Sequence, residues 1–96
     1  MPGDRPLSPR QAIKRIRELW TTGAVKFLPH AWQRMEQRKV NLDDVARVLM
    51  SGHVIEHSKP GQWWRYTVRG RAIDGDPIEC VTEINDRLVI VTVIVP

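Results

Sequence analysis

The chain has 96 residues, 42% of them hydrophobic, with fifteen Lys and Arg against eleven Asp and Glu for a net charge of +4. That length supports one domain with a modest two-layer core, and it excludes a multi-domain enzyme and a wholly disordered chain. No apolar run approaches the ~20 residues of a spanning helix, the start lacks the pattern of a secretory signal, and the single cysteine, Cys80, excludes an internal disulfide framework and fits a reducing cytoplasm.

In chain order, residues 1–7 carry two prolines and a glycine and predict a loose end, with a single domain over 8–96. Ser8 as N-cap, Pro9 in the first helical position and Gln11 three residues on form a capping box that opens the first helix. Ala12, Ile13, Ile16, Leu19 and Trp20 make its apolar stripe, and Gly23 stops it. Ala24 to Leu28 predicts a short strand broken by Pro29. A second helix follows over about His30 to Lys39, with Ala31, Trp32 and Met35 as its apolar face. Asn41 caps a third helix with acids in its first turn, Leu42, Val45, Val48 and Leu49 form its buried stripe, and Gly52 ends it.

Beyond Gly52 the period alternates. Strands are predicted over His53–His57, Gln62–Ala72, Ile78–Ile84 and Arg87–Val95, separated by Lys59-Pro60-Gly61, Asp74-Gly75-Asp76-Pro77 and Asn85-Asp86. The last strand is apolar on both faces and should sit centrally. The whole predicts an α+β fold, with N-terminal helices packed on one face of an antiparallel β-meander. Cys80 falls on a strand as a small buried residue.

The charge is unevenly placed. Residues 1–40 hold nine bases and three acids, residues 41–96 six bases and eight acids, and eleven of the fifteen bases are Arg. Arginine forks onto phosphate and stacks on bases, which points to a polyanionic partner such as RNA; an ordinary positively charged surface has the same composition. In the long strand, alternation sets Trp64, Tyr66, Val68, Gly70 and Ala72 on one face and Trp63, Arg65, Thr67, Arg69 and Arg71 on the other. The second row fits a nucleic-acid groove in which arginines hold phosphates and Trp63 stacks a base. It equally fits a solvated face whose arginines pair with Glu79 and Glu83. His30, Arg34 and Arg38, four apart on one helix face, join an imidazole, a group that can donate or accept a proton, to two guanidinium groups, a set suited to phosphoryl chemistry; a histidine at a helix start beside solvated arginines has the same spacing. His53 and His57 stand too far apart on a strand to share one ion, and no matching Cys, Asp or Glu cluster accompanies them, so neither a metal nor a cofactor is expected.

The stretch His30-Ala31-Trp32-Gln33-Arg34-Met35-Glu36-Gln37-Arg38, followed by Val40, Val45, Leu49 and Gly52, then Arg65-Tyr66, Gly70 and Thr92-Val93, resembles a small bacterial family catalogued as a domain of unknown function. The similarity covers about residues 27–95. That family looks like a relative of the BrnT and RelE toxins of bacterial toxin–antitoxin pairs, which share a microbial-ribonuclease-like fold. The resemblance implies a cytoplasmic, metal-independent endoribonuclease held in check by a cognate antitoxin, a zinc-finger protein of the MqsA type beside several members. The RNA's own 2′-hydroxyl would attack the adjacent phosphate. His30 would be the acid/base, Arg34 and Arg38 would hold the scissile phosphate, and Arg65 would complete the catalytic set, with Trp63, Tyr66, Arg69 and Arg71 binding nucleic acid. Tyr66 conflicts with Arg65, because alternation turns it toward the core. The chain ends in Ile94-Val95-Pro96, without the polar or basic tail that some related toxins use. Two other functions fit the residues: a non-catalytic RNA-binding module on the Arg/Trp face, and an interaction protein whose exposed tryptophans meet a protein partner.

Overall fold

Three helices precede most of a five-stranded sheet: α1 (Pro9–Thr22), β1 (Val25–Phe27), α2 (Pro29–Arg38), α3 (Leu42–Ser51), β2 (His53–Ser58), β3 (Arg65–Arg71), β4 (Pro77–Ile84) and β5 (Leu88–Ile94). The computed structural model describes residues 5–96. The strand order is β1-β5-β4-β3-β2. Strands β2 to β5 form the expected antiparallel meander, and β1 adds to the far side of β5 in parallel. The fold is α+β. β5 is interior, as its two apolar faces require, but β4 takes the middle position.

Local sequence chemistry explains the helix ends. The Ser8 hydroxyl accepts from the Gln11 amide at 3.1 Å, and the Gln11 side chain accepts from the Ser8 amide at 3.0 Å. Gly23 closes α1 with a φ of 80°, a conformation that a side chain would disfavour. Asn41 and Asp44 repeat the capping box on α3. The second Asp44 oxygen accepts from the Ile73 amide at 3.1 Å, so this buried carboxylate also ties α3 to the β3–β4 turn. At the other end of α3, Arg17 of α1 donates to the carbonyls of Leu49 and Gly52, both at 3.0 Å. Carbonyls at a helix end have no partner within their own helix, and a guanidinium also offsets the negative end.

One core unites all three helices with the sheet. Ala12, Ile16 and Leu19 of α1, Ala31 and Met35 of α2, and Val45, Val48 and Leu49 of α3 meet Tyr66, Val68, Ile78, Cys80, Leu88, Ile90 and Val93. Some expected core positions fall elsewhere. Leu42 is exposed, because it opens α3 at the helix's outer edge. Trp32 is 47% exposed, yet one ring face stacks on Phe27 with centroids 4.4 Å apart, and Phe27 meets Trp20 edge-on at 6.2 Å. The stack holds α2 beside β1 through aromatic contact at the core's margin. α2 begins at Pro29 rather than His30, with Leu28 as an N-cap that makes no side-chain bond.

Leu7 also departs from expectation. Rather than belonging to a loose end, it packs against the core and its amide donates to the Tyr66 hydroxyl at 2.8 Å. The first part of that predicted end, residues 1–4, lies outside the described residues. Tyr66→Phe keeps the ring and deletes this bond, so it is expected to lower stability by about 1 kcal/mol; a denaturation midpoint equal to wild type would show that the tether carries no weight.

Cys80 is buried as expected. Burial pushes its thiol from 9.0 up to about 12, because a thiolate there would lose its water. The folded chain keeps this proton where the unfolded chain releases it. The contribution to stability is therefore whole below pH 9.0 and is lost as pH rises toward about 12. At about pH 8 a thiol-specific disulfide reagent is expected to spare the folded chain and label it promptly in denaturant. Prompt labelling of the folded chain would contradict a sealed core.

Candidate functional site

Three groups of side chains marked by the sequence pattern take definite positions, and a fourth group forms only in the fold. The first is the outward row of β3. Pairing in register sets Arg65 opposite Glu83 and Arg69 opposite Glu79. The Arg65 Nε donates to the Glu83 carboxylate at 2.9 Å, while Arg69 and Glu79 approach to 3.9 Å. Both arginines are partly solvated, so each pair contributes at most about 1 kcal/mol. The larger consequence lies in charge: two of the row's three arginines face a carboxylate of the same sheet. Thr67, between them, is only 5% exposed, because it sits on an interior strand flanked by these long side chains.

Tyr66 does not belong to a binding surface. It is 2% exposed on the helix-facing side, and its hydroxyl is engaged with Leu7. Assigning it to nucleic-acid contact is therefore corrected: regular alternation puts Arg65 and Tyr66 on opposite faces, and the bulges in the sheet lie in β2 and between β4 and β5, not beside Tyr66 in β3.

The second group is at the β2–β3 hairpin tip. β3 starts at Arg65, later than the predicted Gln62, so Trp63 and Trp64 lie in the loop before it. Trp63 is 43% exposed. Trp64 is partly buried, edge-on to His57 at 5.4 Å and with the Lys59 ammonium 5.8 Å from its ring centre. Trp63 therefore lies before the start of β3 and Arg71 at its end, and the strand between them, Arg65–Arg71, spans about 20 Å at strand rise.

The third group is the α2 column. His30 and Arg38 are exposed and Arg34 is half-buried. None of the three side chains makes a hydrogen bond or ion pair among the described residues. The helix beneath them is well anchored: Ala31 and Met35 are buried, the Phe27–Trp32 stack holds one flank, and the Leu28 amide donates to the Ile90 carbonyl at 3.0 Å. α2 packs on β5, two strands away from β3, so the column and the β3 row form separate surfaces.

The fourth group is a cleft of about 470 Å³. It is lined by Arg47, Ser51 and Gly52 at the end of α3, His53 of β2, Arg69, Gly70 and Arg71 of β3, and Pro77 of β4. Strand alternation marks Arg69 and Arg71 as candidates; nothing in the spacing marks Arg47 or joins His53 to them. Register brings His53 opposite Arg69. Two glycines bring Arg47 near. A Cβ on Gly70 would lie 3.1 Å from the Val48 Cα and 3.2 Å from the Gly52 Cα, and one on Gly52 would strike the Arg69 carbonyl. Only glycines allow α3 to end directly against β3. The one sequence signal for the cleft is this pair of isolated glycines with arginines close to each.

Among the described residues, no group of three or more His, Cys, Asp or Glu stands close enough to hold a metal ion, and no helix is long and apolar enough to cross a membrane. Comparison with curated proteins and with solved structures finds no match. A family model matches residues 27–95, from the end of β1 through β5, and thus includes α2, both cleft glycines and the whole meander. On that coverage the chain belongs to the family described as Domain of unknown function (DUF4258).

Proposed function

We propose that this chain is a metal-independent endoribonuclease, the toxin of a bacterial toxin–antitoxin pair. The observation that carries the proposal is the α2 column: one imidazole and two guanidinium groups on one flank of an anchored helix, with no partner among the described residues. Groups fixed to a rigid element and unspent on internal bonds are ready for a substrate. The resemblance to BrnT and RelE toxins supplies the reaction class and the expectation of an antitoxin partner.

The chemistry needs little from the protein. The RNA 2′-oxygen bonds to the adjacent phosphorus, the bond from phosphorus to the 5′-oxygen breaks, and a 2′,3′-cyclic phosphate and a 5′-hydroxyl result. His30 takes the 2′-hydroxyl proton or supplies the leaving oxygen with one. Arg34 and Arg38 offset the charge that grows on the phosphorane. Arg65 contributes less than the sequence suggests, since Glu83 already holds its Nε.

The exposed Trp63 favours a second function, a non-catalytic RNA- or protein-binding module. RNA cleavage in excess EDTA, with product ends read for cyclic phosphate, separates the two. Cyclic-phosphate ends from wild type support the enzyme; intact RNA in the presence of wild type, with and without ribosomes, removes it.

A further inference from the structure

We infer that the cleft at the junction of α3 and β3 is a phosphate-binding subsite, formed by Arg47, Arg69, Arg71 and His53, that takes a backbone phosphate of a bound single-stranded RNA. This assignment rests on the RNA-processing function proposed above and adds to it a second anchoring point, away from the α2 column.

The electrostatics are one-sided. Three arginines and a histidine line the cleft, and no carboxylate does. Glu79, opposite Arg69 on β4, reaches it only at 3.9 Å, the outer limit of an ion pair. Arg71 donates to the Gly75 carbonyl at 2.8 Å, a neutral acceptor that fixes the guanidinium without cancelling its charge. In the same turn the Asp74 carboxylate accepts from the Asp76 amide at 3.0 Å. Arg47 makes no side-chain hydrogen bond or ion pair among the described residues.

The end of α3 would ordinarily oppose an anion, because its carbonyls carry partial negative charge. Here that charge is met from behind. Arg17 donates to the Leu49 and Gly52 carbonyls, the Gly52 amide to the Val48 carbonyl at 2.8 Å, and the Ser51 hydroxyl to the Arg47 carbonyl at 2.6 Å. The cleft is left with guanidinium groups and little to neutralise them. Arginine forks match phosphate oxygens in pairs, and several such groups about one phosphate give an affinity that weakens with salt. The volume, about 470 Å³, exceeds a single phosphate and leaves room for the sugar on either side.

The test is the affinity of a short labelled 2′-O-methyl RNA, which lacks the attacking hydroxyl, measured across a salt series. Arg47→Ala/Arg71→Ala is compared with wild type and with Arg15→Ala/Arg87→Ala, which removes the same charge elsewhere on the surface. All four side chains are solvent-exposed, and Arg15 pairs only with the exposed Glu18, at 3.4 Å. Thermal unfolding checks that each variant folds. The cleft variant is expected to bind at least about 10-fold more weakly, with a salt slope shallower by about 0.7 for each phosphate that it no longer neutralises. Arg47→Lys/Arg71→Lys is expected to recover the slope and only part of the affinity. If wild type binds and the cleft variant binds equally well, or no worse than the surface control, the subsite is overturned while the RNA function stands. If wild type shows no salt-dependent RNA affinity, both fall together.

Discussion

Gly52→Ala is expected to lower the stability of the fold by about 3 kcal/mol, a large fraction of what a domain of this size has. The reason is not backbone conformation: Gly52 has φ −83° and ψ −168°, an extended geometry open to any residue. The cost comes from space. A Cβ would meet the Arg69 carbonyl and lie 2.5 Å from the Val48 carbonyl, both backbone atoms that cannot swing aside. Either α3 withdraws from β3 or the sheet deforms, and both reopen the core around Val48 and Val68, which are fully buried. Gly70→Ala meets Val48 and Gly52 at 3.1–3.2 Å and is expected to cost about 1 kcal/mol. Gly61→Ala meets nothing within 4 Å and should be nearly neutral. Urea midpoints of the three variants provide the measurement. At this chain length 3 kcal/mol corresponds to a fall of roughly 15 °C in Tm. Equal behaviour of Gly52→Ala and Gly61→Ala would mean that the α3–β3 junction has room for a methyl group after all.

His30→Ala is expected to reduce metal-free RNA cleavage by about 10²- to 10⁴-fold, the usual contribution of a general acid or base. RNA affinity should change little, because binding rests on the arginines. His30 is exposed, on the first turn of α2, and its side chain makes no bond that the fold would miss. Loss of activity would thus not reflect loss of structure, and an unchanged Tm confirms that separately. Arg34→Ala and Arg38→Ala should instead weaken both cleavage and binding. Cyclic-phosphate ends at wild-type rate from His30→Ala would retain the enzyme and move the acid/base role elsewhere. His53, in the arginine-lined cleft, is then the residue to replace next.

The helices are legible in the sequence because their ends are local. Ser8 with Gln11, Asn41 with Asp44, and Gly23 make bonds within one turn, so no distant partner is needed to infer them. The strands are legible because alternation and turn residues agree. Positions that differ from expectation have longer-range causes. Leu7 reads as part of a loose end, but Tyr66, 59 residues away, tethers it. Trp32 reads as core, but the geometry of β1 relative to α2 makes it a half-exposed lid on Phe27. The extra residue at the β2 bulge lies between Val54 and Glu56, where no glycine or proline marks it.

The candidate site divides in the same way. The α2 column follows from helical spacing alone, because residues four apart share a face in any α-helix. The alternation that separates Arg65 from Tyr66 also follows from the strand period. Whether Arg65 and Arg69 are free or paired depends on the register of β3 against β4, a tertiary quantity, and that register sets them opposite Glu83 and Glu79. The cleft depends on tertiary structure entirely. Arg47, His53, Arg69 and Arg71 come from one helix and two strands, and no periodicity within any of these joins them. Sequence by itself determined the α+β class, the order of elements, the caps of α1 and α3, and the alternation that separates the two faces of β3. Only the tertiary structure decided which charges cancel and which converge, because the register of β3 against β4 sets the first, and the contact between Gly52 and Gly70, a meeting of two backbones eighteen residues apart along the chain, sets the second.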